Sequence, residues 1–201
     1  MKALGEEKTK KILEAGAEDL SLEFKPPFDY EQNHWLRETV IRGILAMSNT
    51  RDGGDIVIGI EENQDNTFNF KGMENQHVLK WKQKLDDFKS QVESFATSPV
   101  SYEIYEGKLE QKSFIIFRIT EFKTHPIICR KNGTSKKGDG LVLEEGAIYV
   151  RTLKDKPSSV RLVNPIDVHD LIERASDKTI VHLHKRGWKH ISEGSNKGSA
   201  Q

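Results

Sequence analysis

The sequence predicts an α+β fold, with elements in the order α-β-α-β-α-β-β-β-β-α. Three observations support this prediction. Apolar residues at 20, 22 and 24 alternate with polar ones, which is the period of a half-buried strand. In residues 78–95, apolar side chains recur at steps of three and four, which is the period of a helix. Two strand patterns, 100–104 and 113–119, follow each other closely, which favours an antiparallel hairpin.

The chain begins with a charged segment followed by the first strand. Residues 1–17 are expected to form a short helix, with Gly16 as the residue that ends it. Residues 20–25 form the strand, which ends at Pro26 because proline has no backbone donor for the sheet. The apolar face of this strand is expected to be buried and its polar face to be solvated or functional.

A helix and a central strand are predicted next. Apolar residues at i, i+4 spacing predict a helix over 34–48, followed by a turn at 49–54. Residues 55–61 are apolar enough for a strand in the middle of a sheet. A short return segment over 67–72 follows a polar turn.

The last third of the chain predicts short strands and a helix. Strands at 126–129 and 147–151 flank a Gly- and Lys-rich loop, 130–140, which is expected to be mobile. Asn164 and Pro165 predict a helix start, with asparagine as N-cap and proline as the first helical residue. The chain therefore divides into an N-terminal helix (1–17), a main domain (18–163), a C-terminal helical extension (164–190) and a disordered tail (191–201).

Composition restricts the possible functions. The 201 residues carry a formal net charge of zero, so nucleic-acid binding would depend on local basic patches. The single cysteine, Cys129, excludes an intrachain disulfide and a zinc ribbon, and its apolar neighbours predict a buried thiol. No segment reaches the roughly 18 apolar residues of a membrane span, which predicts a cytoplasmic protein.

Carboxylates suggest a metal site. Glu61 and Glu62 come at the end of the central strand. Glu23 converges with them if the strand that carries Glu23 lies next to the central strand in the sheet. A divalent cation relieves the repulsion between clustered carboxylates, and oxygen ligands select Mg²⁺ or Mn²⁺. Such an ion can activate water against a phosphodiester. Because strand residues an odd number apart face opposite ways, Glu18 joins Glu23 only if it lies before the strand. Solvated surface acids are the alternative interpretation.

Basic residues suggest a phosphate-binding surface. Clustered cations suit a nucleic-acid backbone, although a charge run is also typical of a solvated face. The glycines near 53–59 match no phosphate-loop pattern, so nucleotide binding is only weakly indicated. The candidate nucleic-acid-binding residues are Arg130, Lys131, Lys136, Lys137, Arg151, Lys154, Lys156 and Arg161.

Several segments together resemble a known family. In order they are EDLSLEFK (18–25), AMSNT (46–50), GGDIVIGIEE (53–62), FKGM (70–73), THPI (124–127) and AIYVRT (147–152) with PSS (157–159). This combination resembles the Schlafen AlbA-2 domain over about residues 15–160. The chain departs from the family pattern where Arg51-Asp52 lengthens the turn before GlyGly, and where Glu61-Glu62 stands in place of aspartates.

The resemblance implies an Alba-like single domain, with a mixed sheet flanked by helices, and nucleic-acid association. In the nuclease branch it implies a divalent-metal-dependent endoribonuclease acting on tRNA-like RNA. Its three carboxylates would match Glu18, Glu23 and either Glu61 or Glu62, holding Mg²⁺ or Mn²⁺, with Lys25 on the phosphate.

Other family members imply an alternative, a non-catalytic DNA- or RNA-binding or regulatory module, such as a component of a bacterial defence assembly. RNA is favoured over DNA. The nuclease members pair two related lobes in one chain. Because this chain has one lobe, we expect a homodimer or a place in a larger assembly.

Overall fold

The computed structural model describes residues 1–14, 17–134, 140–153 and 156–186. Eleven strands and five helices are found within these ranges. In chain order they are β1 (Lys2–Leu4), α1 (Glu6–Leu13), β2 (Leu22–Lys25), α2 (His34–Ser48), β3 (Gly54–Ile58), β4 (Glu61–Glu62), β5 (Phe68–Asn69), α3 (Asn75–Gln83), α4 (Leu85–Phe95), β6 (Ser101–Leu109), β7 (Lys112–Thr120), β8 (Gly133–Thr134), β9 (Leu141–Leu143), β10 (Tyr149–Thr152), β11 (Ser158–Arg161) and α5 (Pro165–Lys185).

A mixed sheet of five strands organises the fold, in the order β1-β6-β7-β3-β2. The outer pairs, β1 with β6 and β2 with β3, are parallel, and the inner pairs are antiparallel. The β10–β11 hairpin forms a separate two-stranded sheet. The predicted α+β class, with a mixed sheet flanked by helices, is confirmed.

Each face of the sheet has its own apolar core. On one face, α2, α3 and α4 pack on β3 and β7, with Trp81, Phe88 and Phe117 in mutual ring contact. On the other face, Leu22 and Phe24 pack with residues of α1, β3 and β7. Since neighbouring strand residues face opposite ways, Glu23 of β2 points to the side of α2.

Two helix predictions are confirmed at residue level. The helix over 34–48 is α2. The α5 helix begins at Pro165, and the side chain of Asn164 accepts the backbone N–H of Ile166 at 3.1 Å, as the N-cap prediction required.

Other element predictions need correction. The helix pattern of 78–95 divides at Lys84 into α3 and α4. The central strand ends at Ile58, because Gly59 takes a φ of +120° and Glu61-Glu62 starts a separate strand. The predicted strand over 126–129 is wrong, since Ile128 and Cys129 form isolated bridges there.

The predicted helix over 1–17 is wrong at its start, because residues 2–4 form β1 and the helix α1 spans Glu6–Leu13. Strand β11 was not predicted, because its four residues carry no extended alternating pattern. The predicted loop over 130–140 contains β8, and its residues 135–139 lie outside the described residues. Cys129 is buried, as predicted.

The division of the chain into four parts stays a prediction, and residues 187–201, with the predicted tail, lie outside the described ranges. Among the helices that are described, none combines the length and the apolar composition needed to cross a membrane.

Candidate functional site

Glu23 lies at the centre of the candidate site and is buried. Only 3% of its surface is exposed, since β2 directs it beneath α2. Gly43 of α2 makes this possible, because a Cβ there would lie 2.9 Å from Glu23 Oε2 and 2.8 Å from Ile56 Cδ1. The polar face of β2 is therefore an interior surface.

Both carboxylate oxygens of Glu23 have partners. Lys25 Nζ lies 2.5 Å from Oε1, and Arg151 Nη1 lies 3.1 Å from Oε2. The Ser159 hydroxyl also donates to Oε2, at 2.9 Å. A buried carboxylate with two cations and a hydroxyl is a satisfied anion, and here it links β2 to both strands of the β10–β11 hairpin.

Arg151 has a different position from the predicted one. Its side chain is 1% exposed, so it does not form part of a nucleic-acid surface. Besides Glu23, it donates to the carbonyl oxygens of Asp19 and Leu22, at 2.8 and 3.0 Å. The residue positions β10 against β2, because each of these bonds joins the two segments.

Glu18 satisfies the geometric condition set by its spacing. It lies before β2, and its Oε1 accepts the backbone N–H of Phe24. Burial raises the pKa of Glu18, and the nearby charge of Glu23 adds to this, while the Phe24 N–H and Lys25 oppose it. Burial alone would also raise the pKa of Glu23, but the charges of Lys25 and Arg151 and the hydrogen bonds to it hold that pKa below its ordinary value. Two neighbouring acids are thus shifted in opposite directions.

These opposite shifts predict opposite effects of neutralisation on stability. A carboxylate with a lowered pKa stabilises the fold above its unfolded pKa, and this contribution disappears as the pH falls through the folded pKa. We therefore expect Glu23→Gln to destabilise the chain at pH 7, and this loss to shrink as the pH falls below about 4.5 towards the lowered folded pKa. A carboxylate with a raised pKa destabilises the fold once ionised, so Glu18→Gln should raise stability at pH 7 and lose this gain below about pH 4.5.

Urea unfolding at several pH values between 3 and 7 measures both effects. Equal destabilisation by the two variants at pH 7 would contradict the assignment of opposite environments.

The predicted third carboxylate does not join this pair. Glu61 pairs with Lys71 at 3.4 Å, and Glu62 pairs with Lys156 at 2.6 Å. Among the described residues, no group of three or more His, Cys, Asp or Glu side chains could hold a metal ion. Because cations already occupy both oxygens of Glu23, these residues in this arrangement do not fit the implied Mg²⁺ or Mn²⁺ site.

Exposed cations lie at two places near the hairpin. Arg130 and Lys131 are exposed, and Lys131 Nζ lies 4.3 Å from the centre of the Phe95 ring. Lys156 and Arg161 line a cleft of about 940 Å³ between β10–β11 and the start of α5, together with Thr152, Ser158 and Asn164. The predicted basic residues Lys136, Lys137 and Lys154 lie outside the described part of the chain.

Sequence reasoning missed Asn49, which is fully buried at the end of α2. Its Nδ2 donates to the carbonyls of Ile127 and Tyr149, at 2.8 and 3.0 Å, and its Oδ1 accepts the N–H of Ile127 at 2.7 Å. An amide directly after a buried helix was the available signal, but it was interpreted as a turn residue. Asn49 joins α2 to the segment before β8 and to β10.

Two solved structures match this chain, and the one with a TM-score above 0.5 shows a similar fold. The DIP2311 protein from Corynebacterium diphtheriae matches with 11% identity and a TM-score of 0.51, over 87% of this chain and 33% of that protein. This chain thus spans a third of that protein's length. The N-terminal domain of a putative ATP-dependent DNA helicase RecG-related protein from Nitrosomonas europaea matches with 18% identity and a TM-score of 0.46, over 66% of this chain and 84% of that domain.

Curated proteins give no match to this chain. The family described as Schlafen, AlbA_2 matches residues 18–157, which include strands β2, β3, β6 and β7 of the main sheet, Arg151 and the first part of the basic cleft. This range covers more than half of the chain and both ends of the Glu23–Arg151 ion pair. The chain therefore belongs to the Schlafen AlbA_2 family.

Proposed function

We propose that this chain is a nucleic-acid-binding module that holds a phosphate backbone, with RNA preferred, in the cleft between β10–β11 and α5. The observation that carries the proposal is the pair Lys156 and Arg161 on one cleft lined also by the hydroxyls of Thr152 and Ser158. Cations and hydroxyls are the groups that proteins place against phosphate oxygens. Membership of the AlbA_2 family supports the same function.

The ion pairs that Lys156 and Arg161 make within the chain are easily exchanged. Lys156 pairs with Glu62 and Arg161 with Glu144, and all four side chains are at least 40% exposed. Exposed pairs of this kind contribute about 0–1 kcal/mol, so a phosphate can replace the carboxylate at little cost. The cleft therefore presents two available cations although the net charge of the chain is zero.

The buried cluster around Glu23 gives this cleft its shape. Ser159 and Arg151 hold β11 and β10 through Glu23, and Thr152 and Ser158 are their direct neighbours in the hairpin. Positions adjacent to a buried ion pair have little freedom to move. In this account, Glu18, Glu23 and Arg151 act as structural groups beneath a binding surface.

Removing both cleft cations should weaken RNA binding. We expect Lys156→Ala/Arg161→Ala to raise the Kd for a labelled RNA hairpin about tenfold or more, and to reduce the slope of log K against log salt by about one per lost contact. Fluorescence anisotropy in a salt series measures both quantities.

Lys89→Ala is the matched control, because Lys89 is an exposed lysine on α4 in a similar exposed pair. Unchanged binding by the double variant, or equal loss with Lys89→Ala, would contradict the cleft as the binding site.

The second candidate function is the metal-dependent endoribonuclease that the family resemblance implies, with Glu18, Glu23 and Glu61 or Glu62 as acids and Lys25 on the phosphate. The observation that favours it is that the charge of Glu23 contributes to the raised pKa of Glu18, beside Lys25. Incubating the chain with tRNA, and separately with single- and double-stranded DNA, with and without Mn²⁺ tests this candidate. Mn²⁺-dependent cuts that Glu18→Gln abolishes would support it, and intact substrates throughout would remove it.

A further inference from the structure

The α5 helix has an unusual distribution of polar and apolar side chains. Its contact with the body of the domain combines the buried Leu171 with an ionic cluster, in which Arg174 binds Glu121 and the Asn49 carbonyl and Lys178 also pairs with Glu121. Ile172 and Ile180, by contrast, are 60% and 53% exposed. A helix that packs only on its own domain normally buries its apolar stripe and exposes its charges.

The exposed apolar residues border a groove. The groove has a volume of about 580 Å³ and runs between α5 and the segment 124–126, with Ile148 and Leu162 as its floor. Ile172, Ser176 and Ile180 form a line along the helix side of this groove. A continuous exposed apolar surface of this kind indicates an interaction site.

We propose that this face of α5 binds the same face of a second copy of the chain, with the two helices antiparallel about a two-fold axis at Ser176. A two-fold interface must be self-complementary. Ile172 and Ile180 lie four residues before and four residues after Ser176, so the axis sets Ile172 of each copy against Ile180 of the other. The small Ser176 side chain at the axis lets the helices approach closely.

Charge along α5 fits the antiparallel arrangement. Residues 165–175 contain three acids and one arginine, whereas residues 177–185 contain one acid and two lysines. Lys178 already pairs with Glu121, and an antiparallel copy places Lys185 of one helix opposite Asp167 of the other. The net charge of zero adds no repulsion between copies.

A cysteine at the axis tests the geometry directly. Two copies of Ser176→Cys should form an intermolecular disulfide rapidly under mild oxidation, because the two positions meet at the axis. The native Cys129 is 1% exposed, so it will not compete with the introduced cysteine in forming intermolecular disulfides. Leu79→Cys, at a 57% exposed position on α3, is the matched control. Crosslinking of Ser176→Cys no faster than the control would overturn the proposal.

The mass in solution supplies the second test. Light scattering after size exclusion should show a mass that rises with concentration from 22.9 kDa towards twice that value. Ile172→Glu should hold the chain at the monomer mass with its circular dichroism unchanged, whereas Leu79→Glu should leave the dimer intact. A wild-type chain that stays monomeric at about 100 µM would overturn the proposal, as would a dimer that Ile172→Glu leaves unchanged.

Discussion

Arg151→Met should lower the free energy of unfolding by about 3–5 kcal/mol, because it removes one partner of a buried ion pair and leaves the Glu23 carboxylate without its second cation. The substitution also leaves the carbonyls of Asp19 and Leu22 without their donor. Urea unfolding at pH 7, followed by circular dichroism, measures the loss.

A matched control and a double variant make this result specific. Arg161→Met removes an exposed cation from the adjoining strand and should cost less than about 1 kcal/mol. Arg151→Met combined with Glu23→Gln should cost less than the sum of the two single changes, since the uncompensated charge is gone. Equal losses for Arg151→Met and Arg161→Met would contradict the buried role of Arg151.

Asn49→Ala should be the other severe substitution, with a loss of about 3 kcal/mol. Its side chain makes three hydrogen bonds to the backbone at Ile127 and Tyr149, and all three groups are buried with it. Each orphaned buried group costs about 1–3 kcal/mol, part of which relaxation of the neighbours recovers. Differential scanning calorimetry of the wild-type chain and of Asn49→Ala measures this loss of stability.

Asn63→Ala is the control for this loss, because Asn63 is exposed and its amide donates to the hydroxyl of the exposed Thr67. A change of less than about 1 kcal/mol at Asn49 would show that the junction between α2 and β10 does not depend on this amide.

The features that the sequence predicted well are local ones. The α2 helix follows from the spacing of apolar residues within fifteen positions, and the start of α5 follows from Asn164 and Pro165 alone. The requirement that Glu18 precede β2 follows from the two-residue period of a strand. These signals need no knowledge of the rest of the fold.

The features that it predicted poorly depend on distant parts of the chain. Glu23 alternates with apolar residues as a surface residue does, yet Arg151 and Ser159, far along the chain, bury it. A basic residue in a strand is normally exposed, so nothing local distinguished Arg151 from Arg161. The break at Lys84 is equally invisible, because the apolar spacing continues through it from α3 to α4.

The site and the proposed binding surface form one structural unit. The Glu23 cluster lies under the β10–β11 hairpin. Of the two cleft cations, Lys156 precedes β11 and Arg161 is its last residue. In the proposed function, this arrangement lets the acids support the binding surface without contacting the ligand. It also predicts that Arg151→Met weakens RNA binding only as far as it disturbs the hairpin.

The affinity for a labelled RNA hairpin, measured in EDTA and again in Mg²⁺ at the same ionic strength, tests the central claim most directly. If exposed cations hold the phosphate backbone and the carboxylates are structural, the Kd in EDTA will equal or be lower than the Kd in Mg²⁺, and it will rise steeply with salt. Binding that requires Mg²⁺ and disappears in EDTA would contradict the account.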